Sequence, residues 1–385
     1  MIQEQYSKFI KKEGQATIIL KNLLQTPNLP SSLDILFNPT PSLENNPVSR
    51  PLDSSKLKEQ PHKCDVFYNP VQVFNRDISL LTTLCFSLEK KKTKGEKFKP
   101  LRFLDALTAS GLRLFRVAKE MPSSLISEVK GCDLSDFSRD IFNINLHLNN
   151  LENAKNIQYN LTDANHFMST RSPLEKFDVI DLDPYGTMVP FLDATLSAAT
   201  KNSLLCLTST DTRVLCGSDR HKCFYMYGAV RGGTDFIEET ALRIAMGTVQ
   251  RIANTKGKAV EPILCVQSDF YIRLFVRVVN SKQKCWQSMT TSGMQFYCKS
   301  CGNQHVQNFG EKHKSDPKKT QPKKFGLETS YCEICNGNLS MNGPLYTGKL
   351  YNVEFVKNMV QMLDFLEKGD FQNHDVFYTD FLIKR

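Results

Sequence analysis

The sequence predicts an α/β fold: a mostly parallel sheet with helices on both faces, followed by a smaller cysteine-bearing α+β domain. Three observations predict it. From Val66 to about Val279, apolar runs of strand length alternate with longer helical stretches. Several of those apolar runs end in an acidic residue. After Asn280 the alternation stops and paired cysteines appear.

Leu101–Asp105, Glu128–Asp133, Phe177–Asp183, Ser203–Ser209 and Phe270–Val278 read as strands because branched and aromatic residues dominate them. Gly111–Glu120, Asp136–Asn150, Pro190–Thr200 and Thr234–Asn254 read as helices from their wider apolar spacing. Lys90–Lys97, ahead of the first core strand, reads as a solvated basic loop. Leu23–Pro61 is rich in Pro, Ser and Asn without a sustained period, and reads as a poorly ordered insertion. The expected organisation is an N-terminal segment over 1–65, a catalytic domain over 66–280 and a C-terminal domain over 281–385.

With 385 residues, 41% hydrophobic and 23% charged, the chain can bury a core and is not globally disordered. Lys+Arg exceeds Asp+Glu by 49 − 40 = 9, which fits a polyanionic partner without proving one. Met1–Leu20 has no long apolar stretch and is interrupted by Glu4 and Glu13, so neither a signal peptide nor a membrane partner is expected. Twelve cysteines in such a chain imply a reducing, intracellular setting. No residue pattern discriminates between compartments; the nucleus is the expectation, ahead of mitochondrion and cytoplasm. Nothing in the sequence sets an oligomeric state.

Phe103–Arg113 is a strand ending in Asp105, a loop of small residues, then a helix. Small residues let a ligand approach the backbone, and the helix start offers unpaired N–H groups. Gly111 is the only glycine there, so the segment lacks a dinucleotide fingerprint. Asp133 ends a second strand 28 positions after Asp105, the separation of one strand–helix–strand unit. A carboxylate at that place can accept from both hydroxyls of a ribose. Asp163, after a third strand-like segment, could accept from an adenine amino group; taken singly it reads as a helix cap or turn residue.

The strongest chemical signal is Val179–Gly186, an apolar strand running into Asp183-Pro184-Tyr185-Gly186. Pro184 stiffens the turn and Gly186 relieves crowding after it. A carboxylate, free carbonyls and an aromatic ring around one point suit an exocyclic amine on a flat base. Asp183 and the carbonyl of Asp183 or Pro184 would accept the amine hydrogens, with Tyr185 stacked on the ring. A plain strand-ending turn with a buried aromatic is the competing reading.

These segments closely resemble the tRNA (guanine-N2)-dimethyltransferases that act at position 26. The resemblance runs through Glu13-Gly-Gln-Ala16, Phe67–Asp77, Leu104–Arg113, Asp181–Thr187, Thr210–Gly217 and Tyr227–Gly232. It implies a Rossmann-like class I methyltransferase sheet and S-adenosylmethionine contacts from Arg76, Arg113, Asp133, Asp163 and Ala164. It also implies that Asp183 and Pro184 hold the target amine and that tRNA is the partner. Tyr185 stands where many relatives carry Phe, and Ala109-Ser110 where relatives often have Ala-Thr. The competing reading for these arginines is a surface ion pair.

Cys298-Lys-Ser-Cys301 and Cys332-Glu-Ile-Cys335 are two C-x-x-C pairs with 30 residues between them. Four thiolates in two knuckles suit a structural tetrahedral Zn²⁺. The lysine-rich stretch Glu311–Lys324 between the pairs reads as a flexible positive arm for tRNA phosphates or as a solvated insertion. Two competing assignments remain at this point: an amino-methyltransferase of another RNA or DNA, and a catalytically silent, zinc-containing RNA-binding protein.

Overall fold

The computed structural model describes residues 10–19, 68–324, 326 and 330–367. The Leu23–Pro61 stretch and Phe67 lie outside the described residues. The chain divides into two compact units, one running to Phe167 and one beginning at Met168. Among the described residues no helix is long and apolar enough to cross a membrane.

The first unit opens with an antiparallel hairpin, β1 (Ile10–Glu13) and β2 (Ala16–Ile19), closed at Gly14 with φ +55°. Helix α1 (Val73–Lys94) follows a turn in which Asn69 Oδ1 accepts from the Val71 amide at 2.9 Å. Three strands then run parallel, β3 (Leu101–Asp105), β4 (Ile126–Asp133) and β5 (Ile157–Leu161), in the order β5-β4-β3. Helices α2 (Leu112–Glu120) and α3 (Asp136–Leu148) connect them. Leu104, Leu114, Phe115, Leu125, Ile141 and Phe142 are buried between strands and helices. Parallel register sets Asp133 opposite Leu161, so the loops after β4 and β5 leave the sheet side by side.

Lys90–Lys97 is not a loop through most of its length. Lys90–Lys94 completes α1, and only Gly95–Lys97 departs, as a single 3-10 turn. Lysine is a good helix former, and Lys91, Lys92 and Lys94 meet the partial negative charge of the helix C-terminus.

Helix α4 (Ala164–Ser169) spans the boundary between the units. In the second unit β6 (Phe177–Leu182) pairs in parallel with β7 (Ala199–Ser209), and α5 (Leu192–Ala198) lies between them in sequence. Two short helices, α6 (Thr212–Leu215) and α7 (Arg220–Tyr227), lead to β8 (Val230–Arg231) and the long α8 (Ile237–Thr255). Strands β9 (Ala259–Ser268) and β10 (Tyr271–Val279) form a hairpin, and β10 is antiparallel to β7 as well, giving the order β6-β7-β10-β9. Pro262 and Glu261 mask β9 in the sequence; a proline is tolerated because β9 is the terminal strand of the order. Beneath this sheet Arg273 donates to Asp181 Oδ2 and to Thr208 Oγ1 with both ionic partners fully buried.

After α9 (Lys282–Gln287), the strands β11 (Ser292–Cys298), β12 (Gln304–Asn308) and β15 (Leu339–Tyr346) form a second sheet, with β8 on its far side, in the order β12-β11-β15-β8. Between them, β13 (Gly310–Lys312) and β14 (Thr320–Pro322) pair as a ribbon, and the His313 amide donates to the Lys319 carbonyl at 3.0 Å. The lysine-rich stretch is therefore a hydrogen-bonded hairpin through most of its length and not a flexible arm. Its backbone pairing was invisible in a composition dominated by lysine. Helix α10 (Val353–Glu367) follows.

Candidate active site and metal centre

In the first unit the loop after β3 is folded tightly on itself. Thr108 Oγ1 donates to the Asp105 carbonyl at 3.0 Å, and the Gly111 amide to the Thr108 carbonyl at 2.8 Å. Ala109 has φ +47° and Gly111 φ +83°. A Cβ on Gly111 would stand 2.4 Å from the Phe115 ring, so only glycine fits where this loop enters α2. Asp133 clamps the loop from the next strand: its Oδ2 accepts from the Ala109 amide at 2.9 Å and its Oδ1 from the Ser135 amide at 3.0 Å. Each carboxylate oxygen has a second lone pair, so these bonds orient Asp133 without exhausting it.

Asp163 is exposed and caps α4, its Oδ1 accepting from the His166 amide at 2.9 Å. Ala164 beside it is buried. The Thr162 amide donates to the Asp133 carbonyl at 3.0 Å, which draws Asp133, Asp163 and Ala164 to neighbouring strand ends. Arg113, buried on the first turn of α2, donates to Ser79 Oγ of α1 at 3.2 Å.

Arg76 has a different setting. Its Nε and Nη2 each donate to Glu13 at 2.6 Å, a buried bidentate pair between α1 and the N-terminal hairpin. Burial alone would raise the Glu13 carboxyl, but the hydrogen bonds and charge of Arg76, and then Arg116, hold it below its ordinary 4.5. Sequence reasoning missed Glu13 as a partner although it lies in one of the segments carrying the resemblance. It also missed Asn145, whose Nδ2 donates to the Ser110 carbonyl at 2.9 Å and whose Oδ1 accepts from the Ile19 amide at 2.6 Å. Asn145 thus ties the small-residue loop to the hairpin.

In the second unit Asp183-Pro184-Tyr185-Gly186 follows directly on β6. Asp183 is half-buried and Pro184 buried, while Tyr185 is 77% exposed. An exposed aromatic at the tip of a rigid strand excludes the buried-aromatic reading of this turn. Gly186, at φ +76°, turns the chain, and the Met188 amide donates to Ser209 Oγ at 3.1 Å. Below it lies a polar cluster that the sequence did not reveal. Thr187 Oγ1 donates to the Tyr227 hydroxyl at 2.8 Å, and that hydroxyl donates to Asp211 at 2.8 Å. Burial pushes the Tyr227 phenol well above its ordinary value, and the Asp211 charge adds to the shift. Burial also raises the Asp211 carboxyl, against the pull of the Tyr227 hydrogen bond. The only sequence signal was that Asp211 and Tyr227 sit in segments carrying the resemblance, without any role attached.

The four paired cysteines converge. Their sulfur atoms all lie within 4.8 Å of one another, with Cys298–Cys335 at 3.4 Å and Cys301–Cys332 at 3.6 Å. Tetrahedral Zn²⁺ with Zn–S bonds of ~2.3 Å sets its sulfurs about 3.8 Å apart. The donor set therefore fits such an ion. The amides of Cys335 and Ile334 point at Cys332 Sγ and favour its thiolate. His305 and His313 are not among the converging groups.

The family model for N2,N2-dimethylguanosine tRNA methyltransferases matches residues 49–376. The tRNA (guanine(26)-N(2))-dimethyltransferase of Drosophila melanogaster is 32% identical over 336 residues, covering 77% of this chain and 57% of that protein. The mitochondrial enzyme of that name from Saccharomyces cerevisiae is 31% identical over 351 residues, with coverages of 78% and 61%. The chain thus spans about three-fifths of the length of these curated relatives. The solved structure of Trm1 from Pyrococcus horikoshii with S-adenosyl-L-methionine superposes with a TM-score of 0.66 at 25% identity, covering 92% of this chain and 77% of that one. The fold is accordingly that of a Rossmann-like class I methyltransferase sheet with a cysteine-clustered C-terminal part. The chain belongs to the N2,N2-dimethylguanosine tRNA methyltransferase family.

Proposed function

We propose that this protein transfers methyl groups from S-adenosylmethionine to the exocyclic N2 of guanine 26 of tRNA, giving N2,N2-dimethylguanosine. One observation carries the reading beyond family membership: Asp183 and Pro184 are held on a pinned turn beside an exposed Tyr185 ring. The Asp183 carboxylate and the carbonyl of Asp183 or Pro184 accept the two amine hydrogens and favour a pyramidal nitrogen. Tyr185 stacks on the base and fixes its plane. Positioning and electrostatics supply most of the effect. Asp183 is also a ready acceptor for the departing proton.

The residues of the first unit fit a nucleoside cofactor. Asp133, already oriented by two amides, accepts from ribose hydroxyls, and Asp163 with Ala164 borders the adenine. Arg113 supplies positive charge for the methionine carboxylate; Arg76, whose Nε and Nη2 are taken by Glu13, contributes through Nη1. Bound S-adenosylmethionine supplies an electrophilic methyl group. Cys298, Cys301, Cys332 and Cys335 hold a structural Zn²⁺. In this division of labour residues 66–280 carry the chemistry, and residues 281–385 form the zinc-bearing part that contacts tRNA. An intracellular setting, with the nucleus ahead of mitochondrion and cytoplasm, belongs to the same proposal.

The test is mass spectrometry of unmodified tRNA treated with the full chain and methyl-labelled cofactor. Guanosine 26 is expected to gain one and then two labelled methyl groups. Label on another nucleoside, or none, overturns the assignment.

A further inference from the structure

Arg231, the last residue of β8, is an anomaly in the second unit. It is 4% exposed, and its Nε is sealed from solvent with no hydrogen-bond partner. Among the described residues no carboxylate forms an ion pair with it. Burial holds its pKa below the ordinary arginine value, and the positive charge of Arg220 adds to the depression. Proteins seldom bury a guanidinium unpaired, because desolvation without a counter-ion is costly. The missing counter-ion points to an anionic ligand.

The surroundings strengthen that reading. Arg220, exposed on α7, likewise has no ion-pair partner among the described residues. Lys299, on the first cysteine knuckle, lies across Gly233: a Cβ there would meet its Cε at 1.9 Å and its Nζ at 2.5 Å. The first cysteine knuckle thus lays a further cation against Gly233, the second residue after Arg231. Of the nearby acids, Asp219 is ion-paired with Arg213, Asp211 and Asp235 accept from the Tyr227 and Tyr297 hydroxyls, and neither these nor Glu238 forms an ion pair with Arg231 among the described residues.

The outer face of α7 indicates where the anion comes from. Phe224 and Tyr225 are 59% and 65% exposed, interleaved with Arg220 and Lys222, while Cys223 and Tyr227 anchor the opposite face in the core. Exposed rings between cations suit stacked bases on a phosphate backbone; a free inorganic anion has no use for them. Tyr227 ends this helix, and its hydroxyl accepts from Thr187, two residues beyond Tyr185. The helix and the catalytic turn therefore share one corner of the unit.

We infer that Arg231, with Arg220 and Lys299 beside it, seats a backbone phosphate of the RNA substrate, and that Phe224 and Tyr225 stack on the adjoining nucleotides. This rests on the reading of the chain as a tRNA-modifying enzyme. Phosphate contacts add affinity and position the substrate but carry no base sequence.

The experiment measures binding of an unmodified tRNA transcript to the full chain by fluorescence anisotropy across a salt series. It compares the natural protein with Arg231→Gln, Arg220→Ala and Lys299→Ala. Arg231→Gln is expected to weaken binding about tenfold and to lower the salt slope by about one. Each exposed-site variant should weaken it several-fold. S-adenosylmethionine affinity, read by calorimetry, should not move. If Arg231→Gln fails to fold, the two exposed-site variants decide the question. Unchanged RNA affinity and salt slope in the variants, with tight binding by the natural protein, overturn the inference and leave the enzyme assignment standing. A second arm titrates inorganic phosphate and follows melting temperature. Should the natural protein bind no RNA yet be stabilised by phosphate in an Arg231-dependent way, the anion site stands and its RNA source falls. No RNA binding and no phosphate effect overturn both.

Discussion

Gly186 and Thr210 exchange two hydrogen bonds. The Thr210 amide donates to the Gly186 carbonyl at 2.7 Å, and the Gly186 amide donates to Thr210 Oγ1 at 2.9 Å. The turn that follows β6 is thereby locked onto the residue that follows β7. Parallel strands end at the same level, so this lock holds Asp183 and Tyr185 at the strand tips instead of leaving them on a loose loop. Preorganisation of this kind removes reorganisation from the chemical step.

Asp183→Ala is expected to lower methyl transfer by about 10²–10³ in kcat or more, the scale of losing one preorganised polar partner. Calorimetry should show cofactor affinity nearly intact, because the residues proposed to bind the cofactor belong to other elements. Full activity in this variant would remove Asp183 from the site.

Tyr227→Phe tests the cluster beneath the turn. Loss of the hydroxyl takes the phenolic donor from the partly buried Asp211 and the acceptor from Thr187. A cost of about 1–3 kcal/mol in stability is expected. Steady-state kinetics should show kcat falling more than KM rises, since the turn loosens without losing a substrate contact. Equal effects on both constants, with no loss of stability, would show that the cluster does not position the turn.

Glu13 should give the chain an acid-sensitive component. Its folded carboxyl is held below 4.5, so the stability it contributes is complete above about pH 4.5 and is lost as pH falls through the lower folded value. Urea midpoints measured between pH 6 and 3 should drop over that window. Glu13→Gln should flatten the drop while costing about 3–5 kcal/mol at neutral pH, because Arg76 and Arg116 lose a buried counter-ion. An unchanged pH profile in the variant would count against the buried pair.

Metal analysis of purified protein should find about one zinc per chain, four thiolates making one site. A chelator should lower the melting temperature and expose four thiols to a titrating reagent. Cys332→Ser should lose the ion. Protein that is metal-free under non-chelating conditions, and no less stable for it, would leave the cysteine cluster without its assigned role.

Much of the candidate site was legible along the chain. Apolar periodicity reports which local stretches are buried on one face or two, and β3 spans the same Leu101–Asp105 that its composition predicts. The acids Asp133 and Asp183 stood out because each closes an apolar run, and the cysteine pairs because their spacing is a local fact. The partners of polar side chains left no such mark. Arg76 meets Glu13 from 63 positions away, Asn145 meets Ile19 from 126, and Tyr227 finds Thr187 from 40. The lysine hairpin and the proline-bearing β9 form because a neighbouring strand satisfies their backbone, whatever their side chains suggest. By itself the sequence determined most of the core strands and helices between Leu101 and Val278 and which of those strand ends carry acids. Only the tertiary structure decided which distant polar atoms come within ~3 Å of one another, because a hydrogen bond depends on position in space and periodicity encodes only burial along the chain.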